Sequence, residues 1–233
     1  MINIIIPISI IIFFICLIIC LILYYKYIFF FRDPQRIIPK QKRIILSPAD
    51  GIIVYIKKFK DNKIISQKLD DQIDLSKVGV ENNLKNEGWI IGIYMRPIDV
   101  HFNYAPIGGR VEKIIYQKSK FNWPMLDCWE YIKVNWLHQI INFWSKKFHL
   151  ENERNIILLK NKDLKLLIIE IADKFVNKID CFVKNGQFLK PGEKIGFIRR
   201  GSQVDLVVYQ KKIKLKVKVG DHVLGSQTII AYY

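Results

Sequence analysis

The feature that most constrains this chain is an uncharged apolar stretch close to its N-terminus. Residues 4–25 form this stretch, IIIPISIIIFFICLIICLILYY, which contains no charged side chain. Because about 20 apolar residues span the hydrocarbon core of a bilayer as a helix, we predict a transmembrane anchor over residues 1–28. A cleaved signal peptide fits less well, since no basic residue precedes the stretch, the apolar run is long and no small-residue cleavage site follows it.

Basic residues flank this stretch on one side only. No lysine or arginine precedes it, and the basic residues that follow it are Lys26, Arg32, Arg36, Lys40, Lys42 and Arg43. By the positive-inside tendency, the remaining domain, residues 29–233, is expected on the cytoplasmic side of a membrane of the bacterial inner-membrane type.

Composition narrows the classes of partner. The chain has 37 basic and 21 acidic side chains and a formal net charge of +16. A basic domain held beside a bilayer is attracted to anionic headgroups by about 1 kcal/mol per well-placed lysine or arginine. Nucleic-acid binding is not expected, because no recognition motif accompanies the charge. The four cysteines lack CxxC spacing and the four histidines lack HxH or HExxH spacing, so neither a disulfide framework nor a metal site is predicted.

Short apolar runs separated by turn residues follow the anchor. Their richness in β-branched residues predicts a mainly β (α+β) fold with an antiparallel sheet. The alternation in KIKLKVKV (212–219) predicts a half-exposed strand with its lysines in water. Two segments, KPGEKIGFI (190–198) and KVGDHVLGSQTIIA (218–231), share a turn followed by a strand and predict barrel-sandwich-like hairpins.

One segment departs from this pattern. Residues 121–148 contain four of the five tryptophans. The residues that recur there at helical spacing are Trp129, Ile132, Trp136, Ile140 and Phe143. They predict a helix, which either packs on the sheet through its apolar face or lies at headgroup depth in a membrane, where tryptophan is favoured.

Four separated motifs carry the chemical information: FFRDPQRIIP (30–39), SPADG (47–51), DVHFNYAP (99–106) and RRGSQVD (199–205). In this order, behind an apolar anchor, they resemble the phosphatidylserine decarboxylase family in its short membrane-anchored form. The resemblance runs from about Phe30 to the C-terminus. Two departures are a longer segment around residues 123–147 and the pair Asp173-Lys174, where the family has small residues.

The resemblance implies a self-processing carboxy-lyase, with residues 29–233 as its catalytic domain. The Ser202 hydroxyl would attack the carbonyl of Gly201, and elimination and hydrolysis would leave a covalent pyruvoyl group at residue 202. Fragments 1–201 and 202–233 would remain together as a heterodimer, which leaves room for a higher oligomer. The pyruvoyl group would capture the amine of phosphatidylserine in the bilayer and draw electrons from its Cα as CO₂ leaves, giving phosphatidylethanolamine.

The tripeptide Gly-Ser-Gln occurs twice, at residues 201–203 and 225–227. The family has its reactive pair directly before a strand such as VDLVV, about thirty residues from the end. The resemblance therefore selects Ser202 as the pyruvoyl precursor, and Ser226 is expected in a turn.

The resemblance also assigns the supporting groups. Asp50 would orient His101, and His101 would act as base and proton donor. Long-form relatives have a second histidine where this chain has Tyr104, so either His101 serves both self-cleavage and decarboxylation, or Tyr104 or a water molecule assists it. Arg199 and Arg200 flank the serine and are candidates for holding a phosphate or a carboxylate.

An alternative comes from a different class of protein. The two hairpin segments also resemble those of lipoyl and biotinyl carriers and of membrane-fusion adaptors. A non-catalytic membrane-tethered adaptor would keep an intact chain and carry a modifiable lysine at a hairpin tip, and no such tip is present in the sequence.

Overall fold

The computed structural model describes residues 2–60, 63–64, 87–137, 139–141, 148–174, 179–199 and 202–233. The chain divides into two compact units, Met1–Pro34 and Gln35–Tyr233. The first unit contains the helix α1 (Ile2–Tyr24), which continues into one π-helical turn (Tyr25–Phe29). Within it, Ile10–Phe29 is long and apolar enough to cross a membrane, with a mean hydropathy of 2.5.

The second unit consists mainly of strands joined by turns. Its strands, numbered in chain order, are β1 (Ile44–Leu46), β2 (Gly51–Lys60), β3 (Lys63–Ile64), β4 (Glu87–Met95), β5 (Phe102–Tyr104), β6 (Gly109–Gln117), β7 (Arg154–Lys160), β8 (Lys165–Ala172), β9 (Ile179–Cys181), β10 (Phe188–Leu189), β11 (Lys194–Ile198), β12 (Ser202–Val208), β13 (Lys214–Leu215), β14 (His222–Val223) and β15 (Ile229–Tyr232). Its helices are α2 (Cys128–Asn135) and α3 (Phe148–Glu151).

In the described part of the chain these strands form three sheets, and every pairing is antiparallel. The largest has nine strands in the order β10-β6-β7-β8-β12-β4-β2-β14, with β3 added on β2. The smaller sheets are β1-β15-β13 and β5-β11-β9. The predicted fold class, mainly β with an N-terminal apolar helix, is therefore confirmed.

Strand β12 lies at the centre of the large sheet. It pairs along its whole length with β4 on one side and β8 on the other. Because side chains alternate along a strand, Val204 and Leu206 belong to the main apolar core on one face, and Val207 belongs to a second core on the other. Every one of the seven residues of β12 is buried, so the strand is enclosed by the sheet and by both apolar cores.

The two predicted hairpins have the same turn. Gly192 and Gly220 have φ values of +79° and +98°, which only glycine adopts readily. The amide of Glu193 donates to the carbonyl of Lys190, and the amide of Asp221 donates to that of Lys218. The alternation predicted for residues 212–219 is present, with its lysines exposed, although only β13 within it pairs as a strand.

The tryptophan-rich segment forms a shorter helix than its periodicity predicts. α2 begins after Asp127, whose side chain forms a capping box with Glu130. It ends at Asn135, and residues 139–141 are not helical. The side-chain amide of Asn135 donates to the carbonyl of Tyr131, a competing bond typical of helix ends. Phe143 lies outside the described residues.

Candidate active site

Ser202 is the first residue of β12 and is completely buried. Its neighbours across the sheet are Met95 on β4 and Ala172 on β8. Its hydroxyl donates to the thioether of Met95, with an Oγ–Sδ distance of 3.1 Å. A thioether is a weak acceptor, so this contact positions the hydroxyl without stabilising it as strongly as an oxygen acceptor would. Gly201 and Arg200 lie outside the described residues.

Asn103 on β5 shares this sulfur. Its Nδ2 atom lies 3.7 Å from the Sδ atom of Met95, and its side chain is fully buried. The thioether therefore brings Asn103 close to the hydroxyl of Ser202, although the two residues are far apart in sequence. The sequence did not single out Met95 or Asn103.

His101 is buried directly before β5, with its Nδ1 atom 2.9 Å from the backbone carbonyl of Asp99. A carbonyl oxygen can only accept, so Nδ1 carries a proton in this hydrogen bond, and in the neutral ring Nε2 then has the lone pair. The carbonyl of His101 accepts from the amide of Ile198, the last residue of β11. Because β11 ends four residues before Ser202, the topology brings His101 to the chain segment that leads into the serine.

Asp99 fixes the loop that carries His101. Its carboxylate accepts from the Arg96 guanidinium at 2.9 and 3.0 Å, and its Oδ1 atom lies 3.0 Å from Nε2 of His222. Burial alone would raise the pKa of Asp99, but the hydrogen bonds from His222 and Arg96 outweigh it and lower the pKa to about 2. Asp99 lies in the DVHFNYAP motif, and its sequence signal is the Arg-Pro-x-Asp turn before the histidine.

Asp50 is anchored on the other copy of the Gly-Ser pair. Its Oδ1 atom accepts from the amide of Gly225 at 2.7 Å, and the guanidinium of Arg36 lies 3.0 Å from the same oxygen. Burial raises the pKa of Asp50, and the Gly225 amide and Arg36 oppose that shift, while the nearby negative charge of Asp99 adds to it. The hydrogen bonds of Asp50 therefore go to Gly225 and Arg36. Its interaction with the loop that carries His101 is the electrostatic repulsion between its carboxylate and that of Asp99.

Tyr104 lies on the Asp50 side of β5. Its amide donates to the carbonyl of Pro48 in the SPADG turn. Its ring lies beneath the guanidinium of Arg36, 5.3 Å from ring centroid to Cζ. A Cβ atom at Gly225 would come within 2.7 Å of the ring. β5 therefore directs Asn103 towards the Ser202 neighbourhood and Tyr104 towards Asp50.

Ser226 lies in a turn, as predicted. Its φ is +57°, its side chain is buried and its amide donates to the carbonyl of Ser47 at 2.8 Å. Arg199, a candidate for substrate binding, is exposed and forms an ion pair at 3.0 Å with Asp180. Its partner Arg200 lies outside the described residues.

A third buried acid, Glu170 on β8, shares a face with Ser202. It stands opposite Val204, two positions along from the Ala172–Ser202 pair. Its Oε2 atom accepts from the side-chain amide of Asn155 at 2.7 Å. Burial raises the pKa of Glu170 to about 8, which favours the neutral carboxylic acid over the carboxylate. Its sequence signal is a single acid inside an apolar strand.

The opposite face of β12 carries a buried polar cluster. The Tyr55 hydroxyl and the Gln203 amide donate to Oδ1 of Asp205 at 2.5 and 2.7 Å. His149, on α3, lies 3.1 Å from both Tyr55 and Gln203. Burial raises the pKa of Asp205 to about 6. This cluster joins the end of the tryptophan-rich segment to the residue that follows Ser202.

Comparison with known proteins gives one consistent result. A family model described as phosphatidylserine decarboxylase matches residues 26–231. A protein of Methanocaldococcus jannaschii named "Putative archaetidylserine decarboxylase proenzyme" is 33% identical over 88% of this chain and 88% of its own length. Phosphatidylserine decarboxylase proenzymes of Carboxydothermus hydrogenoformans and Wolbachia pipientis are 30% and 31% identical over 87% of this chain, and the matches cover 78% and 74% of those proteins.

The match includes all four motifs and both Gly-Ser pairs, since each lies within residues 26–231. It decides between the enzyme and the adaptor that the sequence left open, and the predicted class, a carboxy-lyase made as a proenzyme, is confirmed. This chain belongs to the phosphatidylserine decarboxylase family.

Proposed function

We propose that this protein decarboxylates phosphatidylserine to phosphatidylethanolamine after cleaving its own chain between Gly201 and Ser202. Family membership supports the reaction class. The observation that carries the choice of bond is the position of Ser202, a fully buried serine that opens a strand paired on both sides. Ser226, in a turn of positive φ, has no comparable place in the sheet.

In the cleavage step, the Ser202 hydroxyl attacks the carbonyl carbon of Gly201 while Nε2 of His101 takes the hydroxyl proton. The peptide C–N bond breaks, and the acyl chain moves from nitrogen to oxygen. Loss of the Cα proton of residue 202 then expels the Gly201 carboxylate and leaves dehydroalanine. Addition of water and loss of ammonia complete the pyruvoyl group.

The surroundings of residue 202 fit such a group. They are buried and largely apolar, so an electrophilic carbonyl there would be shielded from bulk water. When present, the pyruvoyl group supplies an electrophile for the lipid amine and an electron sink for the departing CO₂. His101, held by Asp99, returns a proton to the lipid Cα. Asp50 and Tyr104 hold the turn beside this loop, and Arg199 and Arg200 remain candidates for the lipid phosphate.

The same proposal places α1 across a bilayer, with the second unit on the cytoplasmic side. The basic residues that follow α1 support this orientation. The two cleavage fragments stay together as a heterodimer, because β12 in the small fragment pairs with β4 and β8 in the large one.

Mass spectrometry of the purified protein tests the proposal. We expect a large fragment that ends at Gly201 and a small fragment of residues 202–233 whose N-terminus is a ketone and not an amine. CO₂ release should be measured with phosphatidylserine and with its ether-linked archaetidyl counterpart, because relatives of both names occur. An intact chain with full activity would contradict the proposed cleavage, and a cleaved chain that releases no CO₂ from either lipid would contradict the proposed substrate.

A further inference from the structure

The tryptophan-rich segment presents apolar side chains to solvent. Trp129 is 60% exposed and Trp136 is 75% exposed. A surface helix normally buries its apolar stripe and exposes its polar one. In α2, by contrast, Trp129 and Ile132 are exposed, Glu130, Lys133 and Asn135 are partly buried, and Val134 is the buried residue, which packs in the second core. We define the tryptophan surface as the exposed set Trp129, Ile132, Trp136, Leu137 and Ile140.

The tryptophan surface stands on a fixed base. Besides the capping box at Asp127, the amide of Met125 donates to Oδ1 of Asp173 at 2.9 Å, and the Met125 side chain is fully buried. The side chain of Asn152 accepts from the amide of Trp123 at 2.7 Å and donates to its carbonyl at 2.8 Å. The exposed aromatic rings are therefore held outward by a structured support.

Charge and residue type favour a lipid bilayer as the occupant of this surface. Tryptophan is the residue most typical of headgroup depth. The ammonium group of Lys133 lies 5.7 Å from the ring centroid of Trp129, so a cation stands beside the exposed ring. The acids of α2, Asp127 and Glu130, are engaged with each other's backbone in the capping box. The second unit as a whole has 35 basic and 20 acidic side chains, which complements an anionic membrane.

The base of the tryptophan surface adjoins the Ser202 end of the large sheet. Asp173, which holds Met125, directly follows Ala172, the partner of Ser202 on β8. The side-chain amide of Asn152 also donates to the carbonyl of Ala172 at 2.7 Å. A bilayer in contact with the tryptophan surface would therefore lie against the side of the second unit that contains the reactive serine.

We propose that the tryptophan surface is a second membrane-contacting element, which lies at headgroup depth in an anionic bilayer and orients the Ser202 end of the sheet towards its lipid substrate. The orienting role rests on the proposed function, whereas the membrane contact does not.

Two exposed cysteines allow a matched test on the full-length protein. Cys128 opens α2, and Cys181 lies on β9. Each is kept as the single cysteine, labelled with an environment-sensitive fluorophore, and the protein is reconstituted in vesicles of phosphatidylglycerol and phosphatidylcholine. Spin-labelled lipids with shallow or deep nitroxides then quench the probe. We expect strong shallow quenching at residue 128, weaker deep quenching there, and little of either at residue 181.

Variants connect the quenching to the surface. The double variant Trp129→Ser/Trp136→Ser should reduce quenching at residue 128 to the level seen at residue 181. The control Phe188→Ser, which removes a 76% exposed aromatic side chain on β10, should leave it unchanged. The double variant should also raise the KM for phosphatidylserine in vesicles about tenfold, equivalent to about 1.4 kcal/mol, with kcat on detergent-dispersed lipid unchanged.

Equal quenching at the two cysteines, or quenching at residue 128 that survives the double variant, would overturn the proposal. Protection of residue 128 that rises with protein-to-lipid ratio would also overturn it, because it would identify a second copy of the chain as the occupant. Quenching does not depend on decarboxylation, so an inactive protein with the expected quenching would count against the proposed function alone.

Discussion

The two Gly-Ser-Gln segments have the same sequence and opposite surroundings. Ser202 opens an extended strand that is paired on both sides, and its hydroxyl contacts the sulfur of Met95. Ser226 lies in a turn with a φ of +57°, where the amide of Gly225 is held by the carboxylate of Asp50. The tripeptide itself therefore encodes neither environment. The apolar strand that follows Ser202, and the turn that precedes β15, decide between them.

An arginine–aspartate pair lies near each copy, and the two pairs also differ. Arg36–Asp50, beside Gly225, is enclosed, with side chains 8% and 6% exposed. The other pair joins Arg199, three residues before Ser202, to Asp180 and is open to water, with side chains 50% and 18% exposed. We expect the buried pair Arg36–Asp50 to contribute to the stability of the fold. The exposed pair Arg199–Asp180 is expected to contribute little, so it restricts the segment before Ser202 only weakly.

Replacing each serine in turn gives the largest expected contrast. Ser202→Ala should abolish cleavage and lower decarboxylation by at least about 10³-fold, because it removes both the nucleophile and the source of the electrophile. Ser226→Ala should be processed normally. Gel mobility and fragment masses report the outcome, and an uncleaved Ser226→Ala protein beside a cleaved Ser202→Ala protein would reverse the assignment.

Breaking the two ion pairs should separate their roles. In a Ser202→Ala background, which keeps every chain continuous, Asp50→Ala leaves the enclosed Arg36 charge and the Gly225 amide unpaired. We expect it to lower the free energy of unfolding by about 3–5 kcal/mol. The control Asp180→Ala should cost at most about 1 kcal/mol. Denaturant unfolding followed by circular dichroism measures both, and equal costs would contradict the distinction.

Glu170 and Asp205, the buried acids on the two faces of the large sheet at β12, should change the stability of the fold over different pH ranges. Glu170, on the face of Ser202, has its pKa raised to about 8, so its contribution to stability is present below pH 4.5 and is lost as pH rises through 8. At 1.36 kcal/mol per pKa unit, the shift from 4.5 to about 8 corresponds to about 5 kcal/mol, and Glu170→Gln should remove this pH dependence. Asp205→Asn is the matched control, because its pKa of about 6 places the loss between pH 4 and 6. Superimposable unfolding profiles for the variant and the parent would exclude a neutral Glu170.

Replacing each serine with glycine should give the smallest changes in stability, and the two changes should have opposite signs. Ser226→Gly relieves a positive φ and removes a buried hydroxyl that has no hydrogen-bond partner within the described residues. It should stabilise the Ser202→Ala protein by up to about 1 kcal/mol. Ser202→Gly should instead be less stable than Ser202→Ala by about 0.5–1 kcal/mol, because glycine weakens a strand. Thermal unfolding midpoints decide, and shifts of the same sign would contradict the difference in backbone between the copies.

Local patterns were enough to predict the strands and turns. The conformations of residues 212–219 and of the turns at Gly192 and Gly220 are determined by adjacent residues. The local sequence pattern is therefore enough to predict them. The periodicity of the tryptophan-rich segment overestimated its helix. The apolar stripe in that segment faces water in the structure, and a burial pattern alone cannot indicate where a helix with such a stripe ends.

Contacts between distant residues were not predictable in the same way. Asp50 meets Gly225 across 175 positions, and Tyr55 meets Asp205 across 150. No local pattern specifies such pairs, so the hydrogen bonds of Asp50 to Gly225 and Arg36 could not be predicted, and its proposed role beside His101 rests on the resemblance. Glu170 could have been identified from the sequence, because it is a single acid within an otherwise apolar strand. The same pattern can be used to find buried acids in related sequences.

The central position of β12 in the large sheet also determines when, relative to folding, the proposed cleavage can occur. A peptide of residues 202–233 made separately would have to insert between β4 and β8, two strands that seal against water on both faces. The proposed cleavage at Ser202 would therefore have to come after the sheet has closed, and each molecule would keep the small fragment with which it was synthesised. Exchange of small fragments between molecules would require global unfolding, so the proposed pyruvoyl group could not be replaced once it was damaged.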